Sequence, residues 1–399
     1  MDPIMTPIYI HGIAALSALG SGKQATLAGI RSGQSAGLQA YDAKLYSGRS
    51  TFVGKVTEPL VELAPKLNDA KNRNNLIAAT AYQQIADVIE AIKQTTAASR
   101  IGVVVGTSTT AIAEGESAIK HHQQHGELPD DFRFAHQDIG DTADFIARLA
   151  QVSGPTYSLS TACSSSNRAF ISAQGLLESG LCDVVICGGV DSLCELTVNG
   201  FDSLEQVSPE PSRPFDSRRR GINIGEAAGL FVLSKTPSKL ALVGWGESGE
   251  GHHMSAPMPC GSGAKRAMEQ ALESANLQPA DIGYINAHGT ATQLNDAMES
   301  TAIEELFGNQ VPVSSTKALT GHCLGAAGAI EAAICCYLLE QKQSAPQWPQ
   351  DFTQADDVKS LNFTASSGQL SSLRILSNSF AFGGNNASLV FELNEHNHD

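Results

Sequence analysis

Apolar and polar positions follow two habits along the 399 residues. Short β-branched runs closed by glycine predict buried strands. Apolar residues spaced three and four apart predict the helices that cover them. Ile8–Ile13 reads as an opening strand, and Leu76–Ile92 carries a long helical pattern. Arg100–Gly106 (R-I-G-V-V-V-G) reads as a strand buried on both faces. Thr156–Ser160 is a short strand, followed by a turn and a helical face of Ala169, Phe170, Ala173, Leu176 and Leu177. Asp183–Gly189 is another buried strand. A Pro-rich loop, Ser208–Asp216, then leads to the apolar run Gly225–Leu233.

A second series starts at Leu240–Gly244, with a helix at about Ala264–Ala275 and a strand at Asp281–His288. Val311–Thr316 and the helix Ala326–Leu339 follow, then Leu373–Ser377 and the closing strand Ala387–Leu393. The tail His396–Asp399 reads as frayed. The two series share one order: strand, then strand–turn–helix, then strand with Gly-Gly. That predicts a duplicated α/β unit, divided into 1–239 and 240–399. Side by side, two such units bring Cys163, His288, His322 and the Gly383-Gly384 loop to one cleft at the strand ends.

The chemistry centres on Leu159–Arg168, L-S-T-A-C-S-S-S-N-R. Cys163 falls at the turn, where the following Ser and Asn side chains can cap the helix. A helix N-terminus favours thiolate over thiol. Two readings stand on this stretch alone: a prepared nucleophile, or a small buried core residue.

Composition narrows the classes. A net charge of −15 argues against an extended nucleic-acid surface. No basic segment with an apolar core follows Met1, and no apolar run approaches membrane-spanning length, so neither a signal peptide nor membrane insertion is expected. Eight cysteines without paired spacing read as reduced cytoplasmic thiols. His121, His122 and His125 lack a third ligand at useful spacing and read as a solvated helix face. G-S-G-K at Gly20–Lys23 and G-Q-S-A-G at Gly33–Gly37 lack the context of a phosphate loop and a nucleophile elbow.

Three motifs then combine: T-A-C-S-S-S around Cys163, N-A-H-G-T-A-T at Asn286–Thr292, and G-H-C-L-G-A-A-G at Gly321–Gly328. R-P-F-D-x-x-R-x-G at Arg213–Gly221, G-E-A-A-G at Gly225–Gly229, H-M-S-A-P at His253–Pro257 and N-S-F-A-F-G-G-N-N at Asn378–Asn386 join them. Together they resemble the β-ketoacyl-acyl carrier protein synthases of the thiolase-like superfamily, ketosynthase I/II type. The resemblance covers nearly the whole chain. It implies a duplicated five-layer αβαβα fold with two mixed sheets. It implies an acyltransferase that condenses an acyl group on a cysteine with malonyl units.

By that resemblance Cys163 is the nucleophile, and the N–H groups of Cys163 and Phe382 form an oxyanion hole. His288 and His322 stabilise the enolate left by decarboxylation. Lys317 acts electrostatically around His322, helped by Glu331. Thr290, Thr292 and, as a third candidate, Ser255 meet the phosphopantetheine arm. Phe382 is a mobile gate, with Gly383 and Gly384 giving its loop freedom. The chemistry calls for no metal or organic cofactor. The partners implied are an acidic acyl carrier protein and a second subunit, either another copy or a chain-length-factor-like protein. Lys66, Lys71 and Arg73 are the candidates for a basic carrier patch at the cleft mouth.

Several stretches depart from the common pattern. Ala381 replaces a glycine in the gate loop and should stiffen it. Thr107–Ile112 (T-S-T-T-A-I) implies a polar, narrower acyl-pocket floor. Lys71–Asn75, Val190–Phe201 and Gly221–Ala228 look more like ketosynthases of aryl polyene clusters. Other classes fit less well. A non-catalytic chain-length factor lacks the cysteine, a thiolase needs a second catalytic cysteine near the C-terminus, and a hydrolase needs only one histidine.

Overall fold

The computed structural model describes residues 6–364 and 366–395. The tail His396–Asp399 lies outside the described residues. In the first half, five strands lie in the order Thr156–Leu159, Ile101–Gly106, Val184–Asp191, Ala227–Ser234, Ile8–Ser17. The first three are parallel, and each of the next two runs antiparallel to its neighbour. The second half repeats order and sense with Pro312–Ser314, Tyr284–Asn286, Arg374–Ala381, Asn385–Leu393, Leu240–Gly249. The two mixed sheets are continuous. Ile8, Tyr9 and Ile10 pair with Leu242, Ala241 and Leu240, joining them into one twelve-stranded sheet.

Three apolar cores give the layering. The middle one holds the helices Ser165–Glu178 and Ala327–Gln341, packed between the two half-sheets. An outer core covers the first half-sheet with Arg73–Tyr82 and Asp141–Ala150. The other covers the second with Ser262–Ser274 and Gln293–Phe307. The strand residues explain why both faces are covered. In Ile101–Gly106, Val104 faces the middle core while Val103 and Val105 face the outer one. Each such buried Val or Ile contributes about 1.5–3 kcal/mol.

Two expectations change. The helical pattern Leu76–Ile92 is two helices, Arg73–Tyr82 and Ala86–Lys93. Between them the Gln84 side chain binds both backbone groups of Ala15, at 3.1 and 3.0 Å, so the chain turns there. Leu324–Gln341 does reach membrane-spanning length and hydropathy, but 89% of it is buried inside the protein. It is the central helix of the middle core, and its length reflects burial on all sides.

Candidate active site

Cys163 sits where the short strand Thr156–Leu159 turns into the helix Ser165–Glu178. Ala162 takes φ 53°, a left-handed conformation costly for a residue with a Cβ. The serines do not cap the helix as the sequence suggested. Ser164 Oγ donates to Thr161 O at 2.9 Å, and Ser165 Oγ accepts from Thr161 N at 2.9 Å. They tie the turn to itself. Ser166 Oγ reaches across to the second half, donating to Gly325 O at 2.7 Å.

The second half delivers two histidines to the same point. His288 follows the strand Tyr284–Asn286, and His322 lies in the turn before Ala327–Gln341. His322 Nε2 is 2.9 Å from Cys163 Sγ. The two imidazole rings stand 5.4 Å apart and nearly perpendicular, at 85°. Donor atoms of all three residues lie within 4.8 Å of one another, each residue buried.

Lys317 supports His288 directly, where the sequence had placed it around His322. Its Nζ lies 3.3 Å from His288 Nδ1, 2.6 Å from His288 O and 2.5 Å from Glu331 Oε1. An ammonium only donates, so His288 Nδ1 accepts and we assign the ring hydrogen to Nε2. That nitrogen is then a donor. The Lys317 charge reaches further than its contacts, since it lowers the pKa of both histidines.

Burial governs the charge states. It holds both imidazoles well below their ordinary pKa, with Lys317 adding to the effect, so both are neutral at pH 7. It also pushes the Cys163 thiol up to about 12, with Lys317 pulling partly back. This desolvation works against the expected effect of the helix N-terminus and favours a thiol at rest. Neutral imidazoles beside a thiol form a set of hydrogen-bond donors suited to stabilising a developing oxyanion.

The cleft above this centre is lined by Ser255, Thr290, Thr292, Phe382, Leu204 and Leu294, among others. Thr290 Oγ1 and Thr292 Oγ1 lie 2.9 Å apart. Phe382 packs its ring 5.6 Å from that of Phe201. Gly383 and Gly384 take φ 78° and 72°, so both positions use glycine's freedom. Ala381 is extended at φ −112°, a conformation any residue adopts. The loop is tied down by Gly383 N to Met254 O, at 2.8 Å, and by Glu250 N to Gly384 O, at 3.0 Å.

Other expectations do not meet at this cleft. Lys71 and Arg73 line a separate depression with Glu114, His121 and His136, and Lys66 is exposed away from the cleft lining. Arg73 is also engaged by the buried carboxylate of Glu226. Thr107, Thr109 and Thr110 are buried, and the hydroxyls of Thr107 and Thr109 bind Asp191 rather than face the cleft.

The sequence also missed two buried carboxylates. Glu299 accepts from His288 N and Gly289 N, both at 2.7 Å, and burial raises its pKa to about 7. Asp296 accepts from Phe215 N at 2.6 Å and Ala291 N at 3.2 Å. The available signal was their helix spacing: both share a face with Ala302 and Ile303, on the side that packs into the core.

Known proteins share this architecture. The family model for the β-ketoacyl synthase N-terminal domain matches residues 5–238, and that for the C-terminal domain matches 240–351. The chain is 36% identical over 260 residues to a 3-oxoacyl-[acyl-carrier-protein] synthase 2 of Synechocystis, covering 60% of this chain. That aligned stretch spans only 62% of the relative's length. A protein of the same name from Staphylococcus aureus is 33% identical, over 74% of this chain and 77% of its own. Among solved structures, a ketosynthase from Xenorhabdus doucetiae, in complex with its chain length factor, superposes with TM-score 0.93 at 41% identity. That match covers 99% of this chain and 100% of the other. A β-ketoacyl synthase from Burkholderia phymatum gives 0.87 at 28%, over 98% and 100%. With both halves matched and the Cys-His-His centre assembled between them, the chain belongs to the β-ketoacyl synthase family.

Proposed function

We propose that the chain extends carrier-bound acyl groups by decarboxylative Claisen condensation, as a β-ketoacyl-acyl carrier protein synthase. The observation that carries this is the meeting of Cys163, His288 and His322 at the base of one cleft. First, Cys163 Sγ attacks the thioester carbonyl of an acyl carrier. His322 Nε2, 2.9 Å away, takes the thiol proton and passes it to the departing pantetheine sulfur. The N–H groups of Cys163 and Phe382 hold the oxyanion. The carbonyl gains a bond to Cys163 and loses its bond to the carrier.

Second, a malonyl thioester enters along Thr290, Thr292 and Ser255 and loses CO2. The remaining electron pair forms an enolate, whose oxygen accepts hydrogen bonds from His288 Nε2–H and, once its ring hydrogen has moved from Nδ1 to Nε2 between the two steps, from His322. The enolate carbon attacks the acyl-Cys163 carbonyl. A C–C bond forms, the C–S bond breaks, the released Cys163 thiolate takes a proton from solvent, and a 3-oxoacyl carrier leaves. Loss of CO2 drives the step, so these steps call for no metal or organic cofactor.

We propose an acyl carrier protein as the substrate-bearing partner, and a chain-length-factor-like subunit as the second half of a heterodimer. The 41% likeness to a ketosynthase solved with its chain length factor supports the heterodimer over a pairing of identical copies. The resemblance of Val190–Phe201 and Gly221–Ala228 to ketosynthases of aryl polyene clusters favours extension of a conjugated aryl chain over housekeeping fatty acid synthesis. Eight free cysteines and the buried central helix fit a cytoplasmic site. A chain-length-factor role for this chain itself is disfavoured by the intact Cys163 centre.

Intact-protein mass tests the reading. Wild type and Cys163→Ala are mixed with saturated acyl, aryl-enoyl and malonyl carriers, with and without a partner subunit. We expect an acyl adduct on wild type alone, and the preferred acyl group names the pathway. No adduct under any condition would leave a binding role as the better account.

A further inference from the structure

His288 and His322 are held in different ways. Lys317 meets Nδ1 of His288, and Glu299 takes the backbone N–H groups of His288 and Gly289. Nδ1 of His322 has no partner among the described residues. The direction of its ring therefore depends on the backbone that carries it. That backbone is strained: Leu324, two residues on, sits at φ 49°. A residue with a side chain keeps such a conformation only where its surroundings over-determine it.

The turn is pinned at both ends. His322 N donates to Asn223 O at 2.7 Å, and Gly225 N donates to His322 O at 2.9 Å. At the far end Ser166 Oγ donates to Gly325 O, and Ala326 N donates to Asp191 Oδ2 at 2.9 Å. Asp191 Oδ1 accepts four more bonds: Ser108 N at 2.7 Å, Thr109 N at 2.8 Å, Thr109 Oγ1 at 2.7 Å and Thr107 Oγ1 at 3.1 Å. Thr110, next along that second loop, is also left-handed, at φ 43°.

One fully buried carboxylate thus gathers five donors from two strained segments. A carboxylate suits the place because it only accepts, and its charge strengthens each bond. Burial raises its pKa to about 6, with these hydrogen bonds opposing, so it is mostly ionised at neutral pH. The approach is close: a Cβ on Gly325 would stand 2.8 Å from Asp191 Oδ2.

We propose that Asp191 is a positioning residue that sets the His322 ring against Cys163 Sγ by fixing the turn after the histidine. This rests on the role given to His322 above. Asp191→Asn turns an acceptor oxygen into an NH2 group facing backbone donors. We expect kcat for condensation to fall about a hundredfold, the loss that follows a misplacement of roughly 1 Å. KM for the acyl carrier stays within about threefold, because the substrate contacts are untouched. In protein with 15N-labelled histidines, the His322 ring signals move and those of His288 stay. Asp191→Glu, which keeps the carboxylate, recovers part of the lost kcat.

If Asp191→Asn does not fold, Ala326→Pro tests the same link from the other end. It removes the N–H that Asp191 accepts, along with that group's bond to Cys323 O, and φ −80° at Ala326 suits proline. A kcat near wild type, or both histidines' signals moving together, overturns the proposal. If wild type itself forms neither acyl-Cys163 nor product, the functional reading fails instead, and the two failures are told apart.

Discussion

Two turns face each other across the cleft, and they hold the same place in the two halves. One follows the strand Thr156–Leu159, carries Cys163 and enters the helix Ser165–Glu178. The other follows Pro312–Ser314, carries His322 and enters Ala327–Gln341. Each contains a strained alkyl residue: Ala162 at φ 53° and Leu324 at φ 49°. Their support differs. The cysteine turn is tied by its own serines, Ser164 and Ser165, to Thr161. The histidine turn is pinned by Asn223, Ser166 and Asp191, all from the other half. A duplicated fold has produced one turn tied through its own serines and one that adds, to its own bonds, ties from the other half. The nucleophile is local, whereas its histidine partner depends on tertiary structure.

The largest effect should come from the local side. Cys163→Ala removes the sulfur that bonds the acyl group, and we expect condensation to fall by at least about a thousandfold. A residual rate within tenfold of wild type, measured by carrier-bound product, would break the comparison at its root. Next come the histidines. His322→Asn or His288→Asn should each lower condensation by about a hundred- to a thousandfold, the range for losing one oxyanion donor. Unaffected turnover in either would show that the enolate oxygen lies elsewhere.

A third test separates support from chemistry. Lys317 and Glu331 form a pair whose side chains are each 2% exposed. Lys317→Met strands a buried carboxylate and should destabilise the fold by about 3–5 kcal/mol in urea. Adding Glu331→Leu should return most of that stability but not the activity, because His288 Nδ1 still lacks its donor. Full recovery of both would reduce the pair to a structural role.

The smallest effect is in pH dependence. Burial raises the Glu299 pKa from 4.5 to about 7. A raised carboxylate pKa means the native state holds its proton more tightly than the unfolded chain. The resulting stability is full below about 4.5 and is lost as pH rises through about 7. Relative to Glu299→Gln, wild-type stability should therefore fall between about pH 5 and pH 8, by no more than about 3 kcal/mol. A flat difference would place the ionisation of Glu299 outside that window.

What the sequence revealed follows the same division. Strands with valine and isoleucine runs, the repeated order of elements and Cys163, His288 and His322 were all legible, because each is written in consecutive residues. Asp191 and Glu299 were not. In sequence each is one acidic residue among 41 Asp and Glu; the donors to Asp191 lie 82 or more residues away, and the backbone donors to Glu299 lie on the turn before its helix, 10 and 11 residues back, where no pattern marks them. Lys317 was legible as a lysine acting electrostatically around His322, but its direct contact with His288 was not. His322 is five residues away, yet the fold brings His288, 29 residues away, to its Nζ. The charge state of Cys163 depends on tertiary structure in the same way. Helix position is written locally, but burial, which works against it here, is known only once both halves close over Cys163.

The most direct test starts from acyl-Cys163 enzyme, freed of donor carrier and chased with malonyl carrier, with CO2 and carrier masses followed together. Wild type should release one CO2 for each 3-oxoacyl carrier formed and return to the unmodified protein mass. His322→Asn, once loaded, should keep its acyl group and release little CO2. The account would be contradicted if the wild-type adduct persisted through the chase, or were lost as free acid without a 3-oxoacyl carrier.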